Sequence, residues 1–289
     1  MEPEGDWLIV MKRLIVPFLL LGALLPAFAE GNSGNNLIRM NVQMQKLWQQ
    51  KQYLQAMDTA VFVLTIDNDN RAASDFVYRN WDTMTRWTEN RLQRLYNEES
   101  IEESEERCEI YRLLSEINNN LRTVPMPLYG PREKWVWQPE INYYDGHYDT
   151  ERTRLVRLLM RRADGALFSH DTETAKQYYT LALNKYLLTE GERVQNLDVM
   201  LQRLQAAIEQ YASSDRIHEA VFAYELMELS LTLQPQQPEM EVRRADMQQR
   251  VADLYLKAAE QALLQGDSVA SYEYRLSYED WKVVVPAED

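Results

Sequence analysis

From residue 35 onward, apolar residues recur at three- and four-residue spacing along almost the whole chain, and no long segment alternates with period two. In AKQYYTLALNKYLL, positions 175, 178, 179, 182, 183 and 186 fall on one helical face; in DRIHEAVFAYELMELSLTL, positions 217, 220, 221, 224, 227 and 231 do the same. The punctuation agrees. Ser100-Ile101-Glu102-Glu103 has capping-box spacing, Pro125 and Pro127 stop the helix that follows it, and Pro235 and Pro238 bracket another joint. The pattern predicts ten helices over 35–50, 53–67, 71–97, 101–122, 150–168, 172–189, 191–213, 216–233, 239–265 and 268–283, with no obvious source for a sheet. Asp149 or Thr150 is the expected N-cap of the fifth.

The chain also repeats. Ala175, Ala223 and Ala270, each near the start of every second helix, are separated by 48 and 47 residues. Ala56 lies 119 residues before Ala175, which is two steps of 48 plus 23, and one step from Ala56 lands on Ser104. The extra residues have a home in 123–149, the one long stretch without helical periodicity. These intervals predict an all-α fold, an α-solenoid of about five antiparallel hairpins. Its divisions are N-terminal hairpins over 30–122, an insertion at 123–149 and further repeats over 150–289.

His170-Asp171-Thr172-Glu173-Thr174-Ala175-Lys176-Gln177-Tyr178-Tyr179-Thr180-Leu181-Ala182-Leu183 resembles the second helix of a tetratricopeptide repeat. Ala175, Tyr178, Tyr179 and Ala182 match the small residue, the two aromatics and the second small residue of that motif. Lys51 to Asn70 is similar at Ala56, Ala223 to Pro235 keeps the spacing to the closing proline with Ser230 at the second small position, and Gln265-Gly266-Asp267 supplies the turn. The helices are longer than the family's, the period is near 47, and the family's first-helix Trp/Leu/Gly pattern is mostly absent. The resemblance implies stacked hairpins with a concave surface that binds a protein or peptide. First-helix polar stripes facing that surface would be Arg39, Gln43 and Lys46, and Arg154, Arg157 and Arg161; ordinary exposed faces have the same spacing.

The first thirty residues read as an address. In MKRLIVPFLLLGALLPAFAE, Lys12 and Arg13 precede an apolar run from Leu14 to Leu25 and an Ala27-Phe28-Ala29 cleavage box. Residues 1–29 are therefore expected to be a secretory signal, with translation starting at Met11, and the mature protein to be exported, periplasmic or secreted. Pro17 and Pro26 interrupt the run before it reaches the roughly 20 apolar residues of a bilayer span.

Composition narrows the function classes. The 289 residues carry 31 Lys+Arg against 45 Asp+Glu, for a net charge of −14, which argues against nucleic-acid binding. Cys108 is the only cysteine, so an internal disulfide and a thiolate zinc site are excluded; its apolar helical neighbours favour a buried thiol over an intermolecular disulfide. His147, His170 and His218 stand in no catalytic or metal-binding motif. No catalytic residue, cofactor or metal is assigned. Asp145-Gly146-His147-Tyr148-Asp149-Thr150-Glu151 is rich in oxygen ligands but lacks calcium-loop spacing. The acidic run Glu98, Glu99, Glu102, Glu103, Glu105, Glu106 and Glu109 reads as a solvated face near a helix start, or as an attachment site for a basic partner.

The insertion TVPMPLYGPREKWVWQPEINYYDGHYD holds four prolines and six large aromatics. Its candidate ligand contacts are Tyr129, Trp135, Trp137, Tyr143 and Tyr144. Trp135 and Trp137 share a face if the backbone is extended, and such a pair can stack on a sugar ring or cradle an apolar peptide side chain. The same aromatics can instead strap the helices together. The expected function is thus an exported, non-enzymatic helical-repeat protein that binds proteins or peptides, or alternatively a saccharide or small-ligand binder using this insertion.

Overall fold

The computed structural model of the protein describes residues 33–97, 99–126, 128–129, 136–137, 139, 144–184 and 189–282. The expected signal segment 1–29, Trp135 and Tyr143 lie outside the described residues. Ten helices run through the rest: α1 (Ser33–Gln49), α2 (Tyr53–Ile66), α3 (Arg71–Arg94), α4 (Ile101–Thr123), α5 (Asp145–Phe168), α6 (Thr172–Asn184), α7 (Glu190–Tyr211), α8 (Ile217–Leu233), α9 (Pro238–Leu264) and α10 (Ser268–Trp281). The fold is all-α, with consecutive helices packed in neighbouring pairs. A minimal antiparallel ladder, β1 (Leu128–Tyr129) with β2 (Val136–Trp137), places Leu128 opposite Trp137 and Tyr129 opposite Val136. Two-residue strands are too short to leave a periodic trace in sequence.

Two local expectations need correction. Helix α5 begins at Asp145, so Asp149 and Thr150 lie inside it rather than at its N-cap. At α4 the box is half made: Ser100 Oγ accepts from the Glu103 amide at 3.2 Å, but the Glu103 carboxylate turns to the amide of Asn97 at 2.9 Å. The reciprocal box occurs at Thr189 and Glu192, where the Glu192 carboxylate accepts from the Thr189 amide at 2.8 Å.

The helices form two compact units. The first takes the chain to Tyr96 plus Glu106–Asp149; the second takes Asn97–Glu105 plus the chain from Thr150, so α4 and α5 contribute to both. In the first unit, α1 packs on α2, α2 on α3, and β1 against α3. Helix α2 (YLQAMDTAVFVLTI) buries Leu54, Ala56, Met57, Ala60, Val61, Val63 and Leu64, leaving almost no polar side. A helix apolar on every side must be enclosed. Phe76, Val77, Trp81 and Met84 of α3 and Ile110, Leu113, Ile117 and Leu121 of α4 complete its core. Trp48 meets Tyr53 and Phe76 edge-on, with ring centroids 4.6 and 5.5 Å apart. Each large side chain so enclosed contributes on the order of 1.5–3 kcal/mol.

In the second unit α6 packs on α7 and α8, α7 on α8, α8 on α9, and α9 on α10. Helix α8 is the enclosed one. Its predicted single face is too narrow, because Phe222, Ala223, Leu226 and Leu229 are buried along with Ala220 and Met227. Of the face predicted for α6, Ala175, Tyr179, Ala182 and Leu183 are buried and Tyr178 is half-buried, while Tyr186 lies outside the described residues. Tyr179 donates to Asp164 at 2.7 Å, and Asp164 also accepts from Arg203, which ties α5, α6 and α7 through one carboxylate. Burial, then this bond, raises the Tyr179 phenol well above its ordinary range, so it stays a donor.

The repeat seen in sequence has structural counterparts. Ala56, Ser104, Ala175 and Ala223 are fully buried, whereas Ala270 on the last described helix is half-buried. Lys51, His170 and Gly266 are the described residues with positive φ, at 62°, 59° and 79°. Each closes the first helix of a pair in the same way. The amides of Lys51 and Gln52 donate to Trp48 and Leu47 (both 3.0 Å), those of His170 and Asp171 to Leu167 and Ala166 (3.0 and 2.9 Å), and those of Gly266 and Asp267 to Leu263 and Ala262 (3.0 and 2.9 Å). Asp171 and Asp267 then accept from Thr174 and Ala270 amides, capping the next helix. The sequence offers glycine at only one of these three left-handed positions. Because a Cβ there costs roughly 1–2 kcal/mol, Lys51→Gly should raise the free energy of unfolding by about 1 kcal/mol. Gly266→Ala, where a Cβ would meet nothing within 4 Å, should lower it by a similar amount through the backbone alone. Urea unfolding of the two variants checks both signs.

Candidate functional site

In the first unit, helical spacing places Trp81, Met84, Thr85, Thr88, Glu89 and Leu92 on one face of α3, and Tyr111, Leu114 and Asn118 on one face of α4. With Tyr144 and His147 these residues line a cavity of about 210 Å³. Its polar floor is spent inward: Thr88 Oγ1 donates to the Met84 carbonyl at 2.9 Å and the Asn118 amide to the Leu114 carbonyl at 2.7 Å. The wall is aromatic. Tyr111 and His147 stack with centroids 5.2 Å apart and planes 15° from parallel, and Tyr144 lies 6.3 Å from each ring.

The first turn of α5 is fastened to α4 by the Asp145 carboxylate, which accepts from Ser115 Oγ and, at 3.2 Å, from the Asn119 amide. These bonds, Ser115 foremost, hold the Asp145 carboxyl below the ordinary carboxylate range. The oxygen-rich stretch from Asp145 thus anchors a helix. Among the described residues no group of three or more His, Cys, Asp or Glu is placed to hold a metal ion.

Of the expected contacts, Tyr144 lines the cavity. Tyr129 lies in β1 and Trp137 in β2, while Trp135 and Tyr143 fall outside the described residues. The arginine stripe belongs to α5 in the second unit: Arg154 pairs with Glu151 at 3.2 Å, Arg161 with Glu99 at 3.4 Å, and Arg157 is exposed. Sequence reasoning passed over Trp81 and Tyr111, although 81, 84, 85, 88 and 92 keep helical spacing. It also treated the acidic run as one solvated face, whereas Glu106 holds Arg91 in a two-pronged ion pair and Glu109 holds Arg112 at 2.7 Å. Cys108 is buried on α4, which removes it from intermolecular disulfide exchange.

The second unit offers two surface features. A shallow groove of about 390 Å³ between α7 and the α8–α9 joint is lined by Leu201, Gln202, Gln205, Ser230, Gln237 and Met240. On α10, Val269, Tyr272 and Leu276 are 70, 63 and 50% exposed, in line at spacings of three and four, and Leu264 at the end of α9 is 88% exposed. No described helix is long and apolar enough to cross a membrane.

One acid is out of its usual state. Asp58 on α2 is half-buried in the field of Glu116, Arg112 and Glu109 of α4. Burial, then the charge of Glu116, pushes its carboxyl up to about 7; Arg112 opposes the rise and Glu109 adds to it. The chain matches no protein-family model, no curated protein and no solved structure.

A raised carboxyl means that the folded chain holds a proton which the unfolded chain releases near pH 4. The stabilisation linked to that proton is complete below about pH 4 and lost as the pH climbs to about 7. Asp58→Asn should therefore stabilise the protein more at pH 8 than at pH 4.5. The difference grows by at most about 1.4 kcal/mol for each pH unit between the two carboxyl values, read from urea midpoints at the two pH values.

Proposed function

We propose that this is an exported, non-enzymatic helical-repeat protein of the cell envelope whose role is to bind a protein or peptide partner. Tetratricopeptide-like stacking is the finer reading of its paired helices, supported by the recurring left-handed turns and by the small residues buried near the start of alternate helices. The observation that carries the partner-binding role is the apolar stripe Val269, Tyr272 and Leu276 on α10, continued by Leu264. Contiguous exposed apolar side chains in an otherwise acidic, charge-rich chain mark interaction surfaces. The glutamine-lined groove beside α8 offers amide donors and acceptors suited to an extended backbone. Small-ligand binding at the edge of the aromatic insertion is the second reading, favoured by the place of Tyr144 in the cavity wall.

A photo-crosslinking side chain at Tyr272 should yield a discrete adduct with one other envelope protein, and the same group at exposed Arg162 on α5 should not. Tyr272→Asp, with an unchanged helical circular dichroism spectrum, should weaken association with the captured protein at least tenfold. Identical adducts from both positions, or none from Tyr272, count against the reading.

A further inference from the structure

We infer that the cavity of the first unit is a recognition site for an organic cation, an ammonium or guanidinium head on a short alkyl stem. The inference goes beyond the partner-binding role assigned to α10 and stands or falls separately from it. Three features of the cavity point the same way. Its wall is aromatic, with Trp81 buried at one side and Tyr111, Tyr144 and His147 clustered at the other, and ring faces attract a cation through their negative quadrupole. Its charge is one-sided among the described residues: Glu89 is exposed at the lining and has no ion pair, and no described Lys or Arg lines the cavity.

Three arginines of α3 and α4 are committed elsewhere, while Arg86, one turn before Glu89, is exposed and gives its Nε to the Asp82 carbonyl at 3.3 Å. Arg91 is gripped by Glu106, Arg112 by Glu109 and Glu116, and Arg107 donates to the Leu95 carbonyl at 2.8 Å. Glu89 thus forms no ion pair among the described residues beside an apolar, ring-lined hollow. Size decides among ligands. About 210 Å³ falls below the roughly 300–1,000 Å³ of sites for drug-sized molecules. The space suits a head group and stem better than a disaccharide. Thr88 and Asn118 spend hydrogens on their own helices, which leaves little of the dense donor array that sugar hydroxyls require.

The cation has two sources, a basic side chain of a peptide or a free small amine, and the test separates them. Calorimetric titration of the full chain with choline, n-butylamine and n-butylguanidine at low salt should give saturable binding. The uncharged choline isostere 3,3-dimethylbutan-1-ol should bind at least tenfold more weakly. Glu89→Gln lies on an exposed position, so the helical spectrum should be kept while cation affinity falls about tenfold. Tyr111→Leu should weaken cations and spare nothing for the neutral isostere to gain. A lysine-centred pentapeptide binding more tightly than butylamine, with the gain lost on lysine acetylation, identifies a peptide side chain as the source; the reverse order identifies a free amine. The inference is overturned if the neutral isostere binds as well as choline, if cellobiose binds and the cations do not, if Glu89→Gln leaves cation affinity unchanged, or if no cation saturates. None of these results bears on crosslinking from α10.

Discussion

Helices α2 and α8 have almost no polar side, and each unit is organised around enclosing one of them. An apolar helix cannot end a structure or lie on its surface without exposing several large side chains to water. Its neighbours are therefore obliged to surround it: α1 and α3 meet α2, and α6, α7 and α9 meet α8. Close approach on several sides needs small side chains, and Ala56 on α2 and Ala223 on α8 are buried without remainder. A larger residue at either position would hold the neighbouring helix off and loosen the packing behind it. The long helices α3, α4, α7 and α9 keep one wet face because they are outer layers.

Charge is distributed to suit this arrangement. Acids outnumber bases, so most arginines whose contacts are described are taken up by a carboxylate at short range, as Arg91, Arg112, Arg152, Arg203 and Arg244 are. Apart from Arg152, which is buried, these arginines are partly exposed, and such pairs add little stability one at a time. Their larger effect is on what remains. Glu89 faces an aromatic hollow with no ion pair among the described residues, and Asp58, raised by burial and then by the charge of Glu116, keeps its proton up to about pH 7. An excess of one sign in a packed helical protein places the surplus where it has consequences, at an opening in one case and inside a helix interface in the other.

Much of the architecture was legible because it depends on short-range periodicity. All ten helices were foreseen and, leaving aside the end of α6, expected at 189 where residues 185–188 lie outside the described ones, all but one lie within a few residues of their expected bounds, since Pro235, Pro238, Gly266 and Asp267 punctuate the chain through backbone preferences that operate over four or five residues. The exception is α5, whose first turn is secured by Asp145 reaching Ser115 and Asn119 across 30 and 26 residues of sequence. No local rule contains such a bond. The left-handed turns at Lys51 and His170 were not legible because neither residue is the glycine that marks such a turn at Gly266.

By itself, the sequence determined the all-helical character, most of the element boundaries, the spacing of small residues and the surplus of acid, because each is a property of neighbours along the chain. Tertiary structure alone decided which faces of α3 and α4 would meet, and hence that Trp81, Tyr111 and Tyr144 would share one hollow. It also decided that Asp58 would lie near Glu116, that Glu106 would be neutralised by Arg91 rather than left in water, and that Val269, Tyr272 and Leu276 would stay uncovered. A helical face shows which residues lie together on one rod, but carries no record of the second rod laid against it.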